Sequence, residues 1–193
     1  MRGNKAQFLA NYAQKHSLDF LRFDFSGHGK MADQFDQSRI SHWLQDAIDM
    51  LDQQTSKPTI IVGSSMGAWI GCLLLRARPG RIASFLGIAA APDFIDEIAP
   101  RPDDMALLKK SAFIEDAQKY RIFDQPLQIT IPFDLIHGDQ DEVVPLSLAQ
   151  KLLQHVQSPK KNLTIIPRGD HRLSQAEHLA VIAARLDALC QIK

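Results

Sequence analysis

Residues 63–67, Gly63-Ser64-Ser65-Met66-Gly67, lie between two apolar runs, Pro58-Thr59-Ile60-Ile61-Val62 and Ala68-Trp69-Ile70-Gly71-Cys72-Leu73-Leu74-Leu75. Such a pattern predicts a strand, a very tight turn and a helix. The turn fits the G-x-S-x-G nucleophile elbow, which sets its serine, here Ser65, at the apex of a strained bend. Holding a non-glycine residue there costs roughly 1–3 kcal/mol. Glycines two residues to either side are expected to remove side chains that would collide at the bend. The serine hydroxyl would then stand at a helix N-terminus, where backbone N–H groups point outward.

The rest of the chain repeats the strand-then-helix rhythm. Phe8, Leu9, Tyr12 and Ala13 share one face of an expected helix over 4–16, and 18–25 is expected to be a strand ending at Ser26-Gly27-His28-Gly29. Ile40, Trp43, Leu44, Ala47, Ile48 and Leu51 recur at helical spacing, with Ser38 or Ser41 as N-cap. The helix after the elbow is apolar nearly all round, as a buried helix is, and Gly67, Ala68 and Gly71 would let it lie close to a sheet. Strands are expected within 81–91, at 133–136 and at 163–166. Helices are expected after Pro145, burying Leu148, Leu152 and Val156, and near the C-terminus, packing Leu179, Ile182, Ala183, Leu186 and Leu189. The region 92–128 is least regular, with helix-like pieces at 105–110 and 113–120. The alternation predicts an α/β fold with a mostly parallel sheet flanked by helices, and 193 residues suit one domain.

A serine nucleophile needs a base, and the base needs an orienting acid. In an open α/β sheet, reactive groups gather at the carboxyl ends of the strands. Ser65 follows one strand, Gly138-Asp139-Gln140-Asp141 another, and Gly169-Asp170-His171 a third. His171 would take the Ser65 proton, and Asp141 would fix the imidazole tautomer. The Met66 backbone N–H would supply one oxyanion donor. The residues leave alternatives open: Asp139 could be the acid, or both aspartates could close a turn and cap the next helix. His171 could be a satisfied surface histidine. His28, His137, His155 and His178 are weaker candidates, and Asp170 reads as a turn residue.

Other chemistries lack their residues. Gly27-His28-Gly29-Lys30 has neither the upstream glycine nor the following Ser/Thr of a phosphate-binding loop, and Gly27-x-Gly29 has no third glycine for a dinucleotide. No Cys/His cluster has zinc spacing, so no metal or cofactor is expected. Formal net charge is zero and no basic–aromatic interleaving exists, so nucleic acid is not an expected partner. No apolar run reaches bilayer-spanning length. Cys72 and Cys190 are expected as buried free thiols, and with no signal or transit segment in view the expected location is the cytoplasm.

Four blocks together resemble the α/β-hydrolase superfamily: Arg22-Phe23-Asp24-Phe25-Ser26-Gly27-His28-Gly29, Val62-Gly63-Ser64-Ser65-Met66-Gly67-Ala68-Trp69, His137-Gly138-x-x-Asp141-x-Val143-x-Pro145 and Gly169-Asp170-His171-Arg172-Leu173-Ser174. The combination is most similar to the alpha/beta-hydrolase-domain protein ten group, whose animal members are known as palmitoyl-protein thioesterases and acyl-glucuronide esterases. The resemblance implies Asp141 as the acid. It implies a serine hydrolase of carboxylic esters or thioesters, acting on a small acyl substrate or an acylated protein. It also implies that the chain begins at the end of the first strand's loop. The sheet would then lack the strand between 18–25 and 58–62, and a short cap would sit at about 92–128. Loss of that strand would remove the second oxyanion donor. The competing expectation is therefore a catalytically impaired hydrolase fold that binds an acyl ligand or a partner.

Overall fold

The structure is a computed structural model that describes residues 3–30, 37–97 and 111–191. In chain order its main elements are α1 (Asn4–Lys15), α2 (Ile40–Gln54), β1 (Thr59–Ser64), α3 (Met66–Ala77), β2 (Ile82–Ile88), α4 (Phe94–Glu97) and α5 (Ser111–Ala117). There follow β3 (Leu127–Gln128), β4 (Phe133–Gly138), α6 (Leu146–His155), β5 (Val156–Gln157), β6 (Lys161–Ile166) and α7 (Ala176–Cys190). The main sheet runs β1-β2-β4-β6 with every pair parallel, and β3 pairs with β5 in a small parallel ladder of its own.

A parallel sheet needs cover on both faces, and the strands supply apolar side chains to each. Phe85, Phe133 and Leu135 face a core built with α2, α3 and α6, including Trp43, Leu51, Trp69, Leu73 and Leu152. Leu86, Ile88 and Ile136 face the other way, toward Tyr12 of α1 and Ile182 and Leu186 of α7. Burial of each such side chain stabilises the fold by about 1.5–3 kcal/mol. The Phe85 and Phe133 rings stack at 4.8 Å across adjacent strands. A Cβ at Gly71 would lie 2.6 Å from the Phe85 ring, so α3 rests directly on that ring. The main helices match the sequence reading closely, and α3 is buried from Ala68 through Leu75.

Four expectations need correction. Residues 18–25 form no strand: β1 ends the sheet of the described residues, and without a neighbour the segment has no ladder to join. Only its outer half keeps the inward alternation, with Phe23 and Phe25 against the core while Phe20 and Leu21 are 43% and 42% exposed. Neither Ser38 nor Ser41 caps α2 with its side chain. Arg39 holds the N-cap position, and the Asp116 carboxylate accepts the Ser41 N–H at 2.9 Å instead. Gly67 is not required for close packing, because a Cβ there would meet nothing within 4 Å beyond its own helix and chain neighbours among the described residues. Val156, expected in a helix, is buried as the first residue of β5.

Neither cysteine is bonded; Cys72 is buried as expected, whereas Cys190, also expected to be buried, is only half-buried at the end of α7. The expected helix at 105–110 lies outside the described residues. Among those described, no helix is long and apolar enough to cross a membrane.

Candidate active site

The register of the sheet brings its carboxyl ends level. Ser64 pairs with Ile88, Ile88 with Ile136, and Gly138 with Ile166. The three candidate side chains emerge just beyond that line. Ser65 has φ 54° and ψ −121°, the strained bend expected of an elbow. Its backbone is braced by neighbouring strands: its N–H donates to Ile88 O at 2.9 Å, and its carbonyl accepts from Ala91 N at 3.3 Å. A Cβ at Gly63 would lie 2.5 Å from Gly67 O and 2.6 Å from Ala68 Cα, so only glycine fits where α3 turns back over β1. Met66 opens α3, which leaves its N–H among the first-turn donors without an intrahelical acceptor.

Asp141 follows β4 in a loop that leads to α6. Its side chain is fully buried. Oδ1 accepts from Val143 N at 2.9 Å and Val144 N at 2.8 Å, and Oδ2 lies 2.8 Å from His171 Nδ1. Burial pushes the carboxyl up, but the hydrogen bonds from His171, Val144 and Val143 together outweigh it and hold the group below the usual carboxylate range. The ionised acid can only accept, so Nδ1 carries the imidazole hydrogen. Nε2 then presents its lone pair to the Ser65 hydroxyl at 3.1 Å. A serine, an imidazole and a carboxylate from three strand ends thus form one continuous hydrogen-bonded chain.

Asp139, the alternative acid, turns elsewhere: it accepts the Arg168 N–H at 2.5 Å and ties its loop to the one carrying His171. Asp170 is the turn residue expected, accepting Leu173 N at 2.8 Å. The two loops press together further. A Cβ at Gly138 would lie 2.1 Å from Gly169 O, and Gln140 N donates to that same oxygen at 3.1 Å.

His137 has a larger part than the sequence suggested. It is fully buried at the end of β4, its Nε2–H donates to Val144 O at 2.9 Å, and Nε2 stands 3.4 Å from Asp141 Oδ2. Burial holds its imidazole below the usual histidine range, against the pull of the Val144 carbonyl and Asp141. A neutral ring therefore backs the acid. The four-residue spacing from His137 to Asp141 was the available signal. Among the described residues, His28, His155 and His178 lie outside this chain of contacts, and no group of His, Cys, Asp and Glu is arranged to hold a metal ion.

Known proteins are similar to this chain over most of its length. The serine aminopeptidase S33 family matches residues 3–118 and 112–177. The mitochondrial palmitoyl-protein thioesterase ABHD10 of Rattus norvegicus is 27% identical over 210 residues, covering 98% of this chain and 71% of that protein. Its Homo sapiens counterpart is 24% identical over 213 residues, covering 98% and 69%. The solved structure of alpha/beta hydrolase domain-containing protein 10 from mouse superposes with a TM-score of 0.87 at 25% identity, covering 99% of this chain and 85% of that one. The chain belongs to the serine aminopeptidase S33 family and is an α/β hydrolase.

Proposed function

We propose that this protein hydrolyses carboxylic esters or thioesters through a covalent acyl-enzyme, with Ser65 as nucleophile, His171 as general base and acid, and Asp141 as the orienting acid. The observation that carries the reading is the unbroken contact from Ser65 Oγ through His171 to buried Asp141. As Oγ attacks the acyl carbon, its proton passes to His171 Nε2, and the imidazolium is balanced by Asp141. The oxyanion forms beside the Met66 N–H, a donor fixed at the start of α3. Collapse of the tetrahedral intermediate breaks the bond to the leaving oxygen or sulfur, which takes the proton from Nε2. A water then gives its proton to the same nitrogen as its oxygen attacks the acyl carbon. On collapse the bond from that carbon to Ser65 Oγ breaks, Oγ takes the proton back from Nε2, and the free acid leaves. A purely binding role gives no reason for the serine to stand in a strained bend at hydrogen-bond distance from the imidazole.

The substrate reading is a hydrophobic acyl group on oxygen or sulfur, borne by a small molecule or an acylated protein. Two facts support it: the curated relatives carry the name palmitoyl-protein thioesterase, and Ala91 and Val144, each bonded to site loops, pack with Val143, Phe94 and Phe123 in an apolar cluster. Phe94 and Phe123 of that cluster come from the region read as a short cap-like insertion. A fluorophosphonate probe is expected to label the wild-type protein and leave Ser65→Ala unmodified. Equal labelling of both would end the assignment. Turnover across paired oxygen and sulfur esters of increasing acyl length then ranks the substrate.

A further inference from the structure

The loop over 167–175 that carries His171 is held unevenly. Before His171 it is bonded to the Asp141 loop through Asp139 and Gln140 and lies tight against Gly138. After His171 the backbone turns through Leu173, which is fully buried at φ 44°. Just before this bend stands the Arg172 carbonyl. It accepts from the Ser174 hydroxyl of its own loop at 2.9 Å, and its second donor comes from the far end of the sequence: Lys5 Nζ, in the first turn of α1 and 167 residues away, also donates to Arg172 O. Lys5 is half-buried, and α1 itself is packed on α7 through Tyr12, whose hydroxyl donates to Asp187 Oδ1 at 2.6 Å.

We propose that Lys5 is a positioning residue, whose ammonium holds the Arg172 carbonyl and thereby sets the rotation of the loop that aims His171 Nε2 at Ser65 Oγ. The proposal rests on the reading of Ser65, His171 and Asp141 as the working groups. A cation suits this place for two reasons. It anchors the Arg172 carbonyl to α1, an element outside the loop, whereas Ser174 binds the same oxygen from within it. It also stands close enough to Asp170 and Asp141 for both carboxylates to favour its charged form, while burial pulls the ammonium below the usual lysine range. A neutral side chain of equal length would fill the space and leave the carbonyl held only by Ser174 within its own loop, with no tie to α1.

The test compares Lys5→Met and Lys5→Arg with wild type by steady-state ester hydrolysis and by the downfield proton resonance of the His171 Nδ1–H···Asp141 hydrogen bond. Lys5→Met is expected to lower kcat by about 10–100-fold, the effect of a small misplacement of a reacting group, with KM within about twofold of wild type. Its downfield resonance is expected to broaden or disappear. Lys5→Arg, which keeps charge and donors, is expected to recover most of kcat and to retain the resonance. Wild-type kcat and an unchanged resonance in Lys5→Met would overturn the proposal, as would equal losses in both variants, which would assign the effect to packing of the side-chain stem. The resonance is read without substrate. It therefore tests Lys5 even if wild-type protein hydrolyses no ester and Ser65 takes no probe, the result that would instead remove the proposed function.

Discussion

At the scale of single residues, the site is defined by which oxygens are already occupied. Asp141 Oδ1 is committed to two backbone N–H groups, so only Oδ2 is left for the imidazole, and its direction fixes the ring. Replacing Asp141 by Asn puts an amide where the ring needs an anion and allows the wrong tautomer. Fluorophosphonate labelling of Asp141→Asn is expected to slow by about 10⁴-fold, the scale of that exchange in a serine–histidine–aspartate system. Asp139→Ala loses a loop brace rather than the ring's partner, so its labelling rate should stay within about tenfold of wild type; the reverse order in a labelling time course would exchange the two roles. Ser65, His171 and the pair Asp139/Asp141 were legible because each follows a strand end in a consistent chain order. The choice between the two aspartates was not legible from spacing, since two positions in one turn differ only in which way the backbone presents them. Lys5 left no trace in the sequence, because its partner is a backbone carbonyl at the opposite end of the chain.

Among the elements, the elbow shows how far a motif can be read as steric law. The two glycines of G-x-S-x-G look equivalent on paper, yet only Gly63 is crowded, by backbone atoms that cannot turn aside. Gly63→Ala is expected to cost about 1–3 kcal/mol as overpacking. Gly67→Ala has open space and a helical backbone, and is expected to gain about 0.5–1 kcal/mol. Urea unfolding of the two variants separates them, and destabilisation by both would show that the bend is tight on each side. Helices α2 and α7 were legible from their apolar periodicity, because burial on one stripe leaves that mark, whereas α3, buried from Ala68 through Leu75, was legible as an unbroken apolar run after the elbow. The failed strand at 18–25 has the composition of a strand without the neighbour that makes one: Phe-rich alternation reports what side chains want to bury, whereas a ladder needs a second backbone. The β3–β5 pair was missed for the complementary reason, being two residues a side, too short for any period.

For the molecule as a whole, two buried carboxyls of opposite tendency shape the response to acid. Asp141 is held low in the folded chain, so its contribution is complete above the unfolded aspartate value of about 3.9 and is lost as pH falls through the lower folded value. Asp93 is fully buried and, although its oxygens accept Ile122 N at 2.9 Å and Phe123 N at 3.0 Å, burial raises its carboxyl. Folding therefore favours protonated Asp93, and its contribution weakens as pH rises from the unfolded value through the higher folded one. Thermal unfolding followed between neutral pH and about pH 3 should show a shallower acid decline for Asp141→Asn than for wild type, and a steeper one for Asp93→Asn. Parallel curves for all three would place acid sensitivity elsewhere.

The crowded meeting of Gly138 with Gly169 has a mechanical consequence. With no side chain between them, the acid-bearing and imidazole-bearing loops form one stiff jaw, while the serine is mounted on a separate strand, two places along the sheet from β4. Thermal breathing of the cleft should then widen the gap between serine and imidazole and spare the bond between imidazole and acid. Under the proposed mechanism, a substrate would wedge open the one joint that the reaction must afterwards close.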